Sequence, residues 1–141
     1  MKYTILSLCI LLFTQLSCNE SNRMDLNGSW KMISFRDDVA NSIVTKPSKY
    51  TDEIVVEFIY STKTKGNLVS NSPANIFKTD FQISRSKSLS IVEFISFRTA
   101  DPNWSDIFFD NIAKAKSYSI EKDGSLNIVT SNNRILTFAR I

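Results

Sequence analysis

Strict alternation between apolar and polar side chains is the feature that most constrains how this chain can fold. Residues 77–84 carry an apolar side chain or threonine at every second position, and residues 89–97 repeat that period with apolar side chains except at Glu93. Successive side chains of a strand point to opposite faces, so a period of two predicts strands. The polar residues 85–87 between the two stretches predict a turn that joins them as a hairpin.

Less regular patterns predict the remaining strands. Residues 53–60 are rich in β-branched and aromatic side chains, with Ile54, Val56 and Phe58 on one face. Polar residues at 37–51 predict a long loop, because this stretch contains Lys46-Pro47 and lacks a period. Turn residues between short apolar runs predict three strands at the end of the chain. The further strands are expected at 30–35, with Trp30, Met32 and Ser34 on one face, and at 117–121, 126–130 and 134–140.

One stretch has the period of a helix. Trp104, Phe108 and Ile112 recur at a spacing of four, and Asp101-Pro102 suits the start of a helix because Asp caps it and Pro fits its first turn. The pattern predicts a helix over residues 102–115. With seven or eight antiparallel strands and no βα alternation, the fold class is α+β, mostly antiparallel β.

The N-terminus has the features of an export signal. Lys2 precedes an apolar run, Ile5 to Phe13, that is shorter than the about 20 residues needed to span a membrane. Leu16-Ser17-Cys18 resembles the site where bacterial lipoproteins are cut and acylated, although Gln15 stands where an aliphatic residue is usual. We therefore predict a signal peptide at 1–17, lipidation of Cys18 with fatty acids such as palmitate, and a polar tether at 18–25. The alternative is an ordinary secretory signal with Cys18 as a free thiol.

Composition excludes several kinds of function. The chain has no histidine, which removes Ser-His-Asp and Cys-His catalysis in their usual forms, and histidine metal sites. The net charge of +3 is spread among acids, unlike the basic faces of nucleic-acid binders. The densest basic run, residues 83–88, has a solvated turn as its simplest interpretation. We expect no enzyme activity, no metal, no cofactor and no nucleic-acid partner.

Several short motifs follow one another along the chain from Leu26 to Arg140. In order, they are Leu26-x-Gly28-x-Trp30, then Ser72-Pro73-Ala74-Asn75-x-Phe77-x-x-x-Phe81, then Thr99 with Asp101-Pro102-x-Trp104, and finally Tyr118-x-Ile120, Leu126-x-Ile128 and Leu136-x-Phe138-x-Arg140.

In this order the motifs resemble the META domain family, whose members are HslJ-like bacterial proteins. Two positions depart from the family pattern: Ala74 stands where a cysteine is often found, and the usual glycine before the aromatic residue is missing. The resemblance implies a META-like domain over 26–141, with an antiparallel sheet curled into an open barrel around one helix. It also implies export and a link to stress, with no agreed enzymatic activity.

A few aromatic, amide and acidic side chains are candidates for a binding, metal or catalytic site. Trp30 and Trp104 either line a ligand cavity or, more simply, pack the helix into the sheet. Asn75 either binds a ligand or partner, or bonds its own backbone in a turn. The acids Asp101, Asp106 and Asp110 are better explained as a cap and a solvated helix flank than as a calcium site. Glu57 and Glu93 are carboxylates whose pairing no spacing establishes; Glu93 shares a face with Leu89 and Ile91, and we expect the opposite face, with Val92, to be the core.

The sequence thus predicts a non-enzymatic lipoprotein of the cell envelope. It would be exported, held by the lipid on Cys18 in the outer membrane, facing the periplasm or the surface, and monomeric. Its role would be protein binding or envelope maintenance under stress, with an unidentified envelope protein as partner. The alternative is a lipocalin-like protein that binds a small apolar ligand inside its barrel.

Overall fold

The computed structural model describes residues 25–46, 53–72, 75–92 and 104–141. Nine strands and one helix make up this part of the chain. They are β1 (Gly28–Asp37), β2 (Ser42–Thr45), β3 (Val55–Tyr60), β4 (Lys65–Ser72), β5 (Asn75–Ile83), β6 (Leu89–Ile91), α1 (Trp104–Ile112), β7 (Ala115–Ile120), β8 (Leu126–Thr130) and β9 (Arg134–Arg140).

The strands form a nearly closed antiparallel barrel. Eight of them follow the order β6-β5-β4-β3-β1-β9-β8-β7, and β2 pairs with the second half of β1. The two outer strands meet where Ser88 forms a bridge with Ser117 and the Tyr118 amide donates to the Lys87 carbonyl at 3.0 Å. The predicted fold class, mostly antiparallel β with one helix, is confirmed.

The predicted alternation places aromatic rings inside the barrel. Phe58 of β3 meets Phe81 of β5 edge to face, with 5.1 Å between ring centroids. From α1, Phe108 contacts Phe77 at 5.9 Å and Phe138 of β9 at 6.4 Å, so the helix is joined to two sides of the barrel. All five rings are buried. Rings of this size bury enough apolar area to dominate the stability of a small core.

A β-bulge corrects the predicted pattern in β1. The pairing with β9 shifts between Met32 and Ser34, which gives the strand one extra residue at Ile33. Trp30 and Met32 point inward as expected, but after the bulge the core residue is Phe35. The prediction that Ser34 shares the inner face of Trp30 is therefore wrong.

Two strands and one helix end also differ from the expectation. Residues 42–45 pair with β1 inside the stretch predicted to be a loop, and residues 65–72 form β4, where no strand was predicted. The helix ends at Ile112, and Ala115, expected in its last turn, begins β7. In β4, a side chain at Gly66 would collide with the Ile59 carbonyl and the Phe81 ring, so this glycine permits the close packing of three strands.

The barrel has two ends, which we name by their contents. The Asp25 end carries the entering chain, the C-terminal end of β9 and three turns. The helix end carries α1 and the turns after β1 and β8. At the helix end the Asp38 amide donates to the Asn133 carbonyl at 3.2 Å, and the Ser131 amide donates to the Lys114 carbonyl at 2.9 Å. The turns of the Asp25 end are residues 61–64, 84–88 and 121–125.

Candidate functional site

An open groove of about 980 Å³ lies at the Asp25 end. It runs between the entering chain, the paired strands β1 and β9, and the β7–β8 turn. Its lining mixes apolar and polar side chains with turn backbone. The residues include Asp25, Trp30, Ile33, Ile120, Ser125 and Arg140.

A stacked cation and indole ring form the floor of this groove. The Arg140 guanidinium lies over the Trp30 ring, 4.6 Å from its centroid, and its Nη2 donates to the Asp25 carbonyl at 2.8 Å. The Trp30 Nε1 donates to the Leu26 carbonyl at 2.7 Å. Trp30 is fully buried and Arg140 is exposed, so the arginine covers the core while its charge faces the groove.

The Asp25 carboxylate connects three elements at this end. One oxygen accepts a hydrogen bond of 3.0 Å from the Tyr118 hydroxyl, and the other lies 3.6 Å from the Lys87 ammonium. Lys87 also lies 5.7 Å from the centroid of the Tyr118 ring. Burial, followed by the nearby Asp25 charge, raises the pKa of Tyr118 well above its usual value. The phenol therefore keeps its proton and acts as a donor.

A second phenol, that of Tyr60, faces the same carboxylate. Burial, followed by the Asp25 charge, raises the pKa of Tyr60 to about 12. Its hydroxyl has no hydrogen-bond partner among the described residues. The Leu26 amide lies close enough to lower the pKa of Tyr60 slightly, although it makes no hydrogen bond to the hydroxyl. At neutral pH neither tyrosine can act as a general base, so the cluster is suited to holding a ligand or the chain itself in place.

Of the predicted site residues, the structure places Trp30 at the groove. Trp104 opens the described part of α1, where it is buried; its indole nitrogen has no hydrogen-bond partner in the described ranges. Asn75 begins β5 and its backbone pairs with Ser72, while its side chain lies outside the described residues. Among the described residues, no contact joins the two tryptophan rings. Cys18 and the Asp101-Pro102 helix entry also lie outside the described part.

The described structure does not bring together the carboxylates that were candidates for a catalytic pair. Glu57 lies mid-strand opposite Val69 and Ser29, and Glu93 lies outside the described residues. Leu89 and Ile91 are buried while Val92 is exposed, so the expectation that the Val92 face forms the core is wrong. In the part of the chain that is described, no group of three acids, cysteines or histidines is arranged to hold a metal.

Sequence reasoning missed the residues that shape the groove. Asp25 was assigned to the tether, whereas Tyr118 and Arg140 appeared only in the last motif of the family resemblance. These three positions are far apart in the chain and share no spacing, and only the closure of the barrel brings them together. The signal available in the sequence was the charged Arg140 following the inward-facing Leu136 and Phe138.

The barrel interior is occupied by side chains along the described strands. The Phe81 ring contacts Phe58 and Tyr60 edge to face, and Phe108 meets Phe138 in the same way. The barrel fold is compatible with a lipocalin-like protein. The open space that we can describe, however, lies at the Asp25 end and on the outer wall. In the described ranges no helix is both long and apolar enough to cross a membrane.

Comparison with known proteins identifies the fold alone. No family model matches the chain, and no curated protein matches it. The chain is similar to a solved structure described as the NMR structure of the protein from Burkholderia xenovorans, with a TM-score of 0.60 and 16% sequence identity. The similarity covers 84% of this chain and 86% of that chain. At this identity the match shows a shared barrel fold.

Proposed function

We propose that this protein is an exported, lipid-anchored protein of the cell envelope, with a META-like domain that acts by binding and not by catalysis. Its binding site is the groove at the Asp25 end. The observation that carries the proposal is the Arg140 cation stacked on the buried Trp30 ring at the groove floor. The buried ring holds the exposed guanidinium in place at the groove, and arginine is enriched among the residues that contribute most to recognition of partner proteins.

The position of the groove fits an anchored protein. Asp25, at the groove, is seven residues beyond Cys18. A chain of that length spans at most about 25 Å, so a lipid on Cys18 would keep the groove close to the membrane surface. A partner that is also confined to the envelope would then meet the groove at a raised effective concentration.

The chemistry of the site supports binding. Tyr60 and Tyr118 are held protonated, and Asp25 is engaged by Tyr118 and Lys87. A general base needs a free acceptor with a pKa near the working pH, and an activated nucleophile needs such a base beside it. At the groove itself, the Asp123 carboxylate accepts hydrogen bonds from Ser125, and Arg140 is a fixed cation.

A blocked groove tests the proposal. Ala139→Trp would fill the groove from β9, because Ala139 lines it. Lys116→Trp adds the same ring near the helix end as the matched control. The acylated proteins would be used to capture partners from cell envelopes. We expect the Ala139→Trp protein to recover a partner at a level more than about tenfold below that of wild type and the control. This corresponds to a loss of over about 1.4 kcal/mol of binding free energy.

Equal recovery from all three proteins, or recovery of no specific partner, would contradict groove binding. The anchor is tested separately by mass spectrometry of the mature N-terminus. We expect an acylated Cys18, and an unmodified cysteine there would refute the lipoprotein assignment.

A further inference from the structure

Four cations at the Asp25 end form a patch that the sequence does not reveal. Lys63 and Lys65 lie in and just after the β3–β4 turn, and Arg85 and Lys87 lie in the β5–β6 turn. The turns are in direct contact, since the Ile83 amide donates to the Thr64 carbonyl at 2.8 Å. All four cations are exposed. We call Lys63, Lys65, Arg85 and Lys87 the basic patch.

Its charge is largely uncompensated by the residues described around it. Residues 61–66 and 84–88 contain no acid. Among the described residues only Lys87 has an ion-pair partner in the patch, Asp25 at 3.6 Å. The next acid along the paired strands is Asp80, on the outer wall, where it accepts a hydrogen bond from Asn67. At the helix end, by contrast, the Arg36 and Arg134 side chains are paired with aspartates at 2.7 and 3.0 Å.

The patch and the groove occupy different parts of the same end. The groove lies beside β1, β9 and the β7–β8 turn, whereas the patch lies on the β3–β4 and β5–β6 turns. Both flank Asp25, the first residue that the structure describes. A surface that contacts the patch therefore leaves the outer side of the groove open.

We propose that the basic patch rests on the surface of an anionic phospholipid bilayer and sets the orientation of the domain. This inference rests on the proposed lipid anchor for its biological setting. The chain between Cys18 and Asp25 spans at most about 25 Å, so the patch stays within reach of the headgroups. Each cation near an anionic membrane tightens binding about fivefold, within a Debye length of about 8 Å. Lys63, Lys65 and Arg85, which have no acidic partner among the described residues, orient a domain that a lipid already holds in place.

Vesicle binding by a lipid-free protein tests the patch apart from the anchor. The chain from residue 18 with Cys18→Ser contains every described residue and carries no lipid. It would be sedimented with vesicles of phosphatidylcholine alone and with vesicles containing about 30% phosphatidylglycerol. We expect binding to the anionic vesicles at least about tenfold tighter than to neutral ones, weakening as salt is raised from about 50 to 200 mM.

Charge-neutral substitutions locate the binding surface. Lys63→Gln with Arg85→Gln is expected to weaken vesicle binding about thirtyfold, from the loss of two cations. Lys114→Gln with Lys116→Gln removes the same charge from exposed positions near the helix end, and is expected to change binding by less than about threefold. Thermal unfolding of both double variants should match wild type, since all four side chains are exposed.

Three results would overturn the inference: equal binding to neutral and anionic vesicles, equal weakening by the two double variants, or binding to a soluble polyanion such as heparin without binding to vesicles. The last result would assign the patch to a different class of partner. None of these depends on Cys18, so an unmodified cysteine in the envelope protein would refute the anchor while leaving the vesicle result intact.

Discussion

At the helix end the barrel is closed by rings: Phe77, Phe108 and Phe109 contact one another between α1 and β5, with 5.2 to 5.9 Å between centroids. At the Asp25 end it is closed by a cation over Trp30 and by polar contacts to one carboxylate. Apolar closure excludes water and needs no partner, whereas polar closure leaves donors and charges at the surface. The difference predicts that the helix end contributes more to stability, while the Asp25 end leaves polar groups exposed for the proposed binding.

The largest expected effect is at the helix end. Phe108→Ala removes a fully buried ring that contacts Phe77, Phe109 and Phe138, and should lower the free energy of unfolding by about 3–5 kcal/mol. Urea denaturation measures this loss. The control is Ile76→Ala, an exposed residue next to Phe77, which should change stability by less than about 0.5 kcal/mol. A loss below about 1 kcal/mol for Phe108→Ala would show that the helix does not close the core.

A smaller effect is expected from the polar closure. Tyr118→Phe removes the donor to Asp25 and should cost about 1–2 kcal/mol of unfolding free energy. A double-mutant cycle with Asp25→Asn separates this hydrogen bond from other losses. Independent, additive effects of the two substitutions would mean that the contact does not hold the entering chain.

Acid titration compares the two ends through one aspartate each. At the helix end, hydrogen bonding from the Ala40 amide, aided by Arg134, lowers the pKa of Asp37. At the Asp25 end, hydrogen bonds from the Ser125 hydroxyl and amide lower the pKa of Asp123. Folding lowers the pKa of each carboxyl group, so the ionised form of each stabilises the fold at pH values above the usual pKa of about 3.8. This contribution to the free energy of unfolding is lost as the pH falls below that value.

We expect Asp37→Asn and Asp123→Asn each to be less stable than wild type at neutral pH, and to lose less stability than wild type between pH of about 4 and 2. Urea denaturation at a series of pH values measures both slopes. Parallel curves for a variant and wild type would contradict the assigned role of that carboxylate.

The smallest effect at neutral pH is expected for Tyr60→Phe. The hydroxyl lacks a described hydrogen-bond partner, so its removal should change stability by less than about 0.5 kcal/mol. The raised pKa gives a test in base. Folding raises the pKa of Tyr60 from 10 to about 12, so the folded state favours the protonated phenol. The phenol does not lower the stability of wild type below pH 10, but wild type loses stability as the pH rises from 10 to 12. The variant should therefore become more stable than wild type across that range; identical curves would show that the phenol is not shielded from solvent.

The parts of the fold that sequence could predict are those in which the local pattern decides the structure. The strands at 126–130 and 134–140 lie where their alternation predicted, and the buried set of β5 is the predicted one. β4 could not be predicted, because Gly66, Asn67 and Ser70 are poor strand formers and the strand exists only through pairing on both sides. The bulge at Ile33 likewise follows from pairing with β9, which a single strand does not encode.

The candidate site depended on contacts over long stretches of sequence. Trp30 was identified as an aromatic residue of interest, but nothing in the sequence joined it to Arg140 or to Asp25. The sequence of residues 83–88 predicts a solvated turn, and only the fold places Lys63 and Lys65 on the adjoining turn. The leader, Cys18 and the META-like assignment remain predictions from the sequence.

The orientation of the two ends on a membrane tests the account most directly. In the acylated protein bound to anionic vesicles, a fluorophore would be attached at Ser86→Cys, in the β5–β6 turn, or at Asn132→Cys, in the β8–β9 turn of the helix end. Quenching by a lipid labelled at its headgroup would then be measured for each. We expect strong quenching at residue 86 and little at residue 132. Equal quenching at both positions, or stronger quenching at residue 132, would contradict an Asp25 end that faces the membrane.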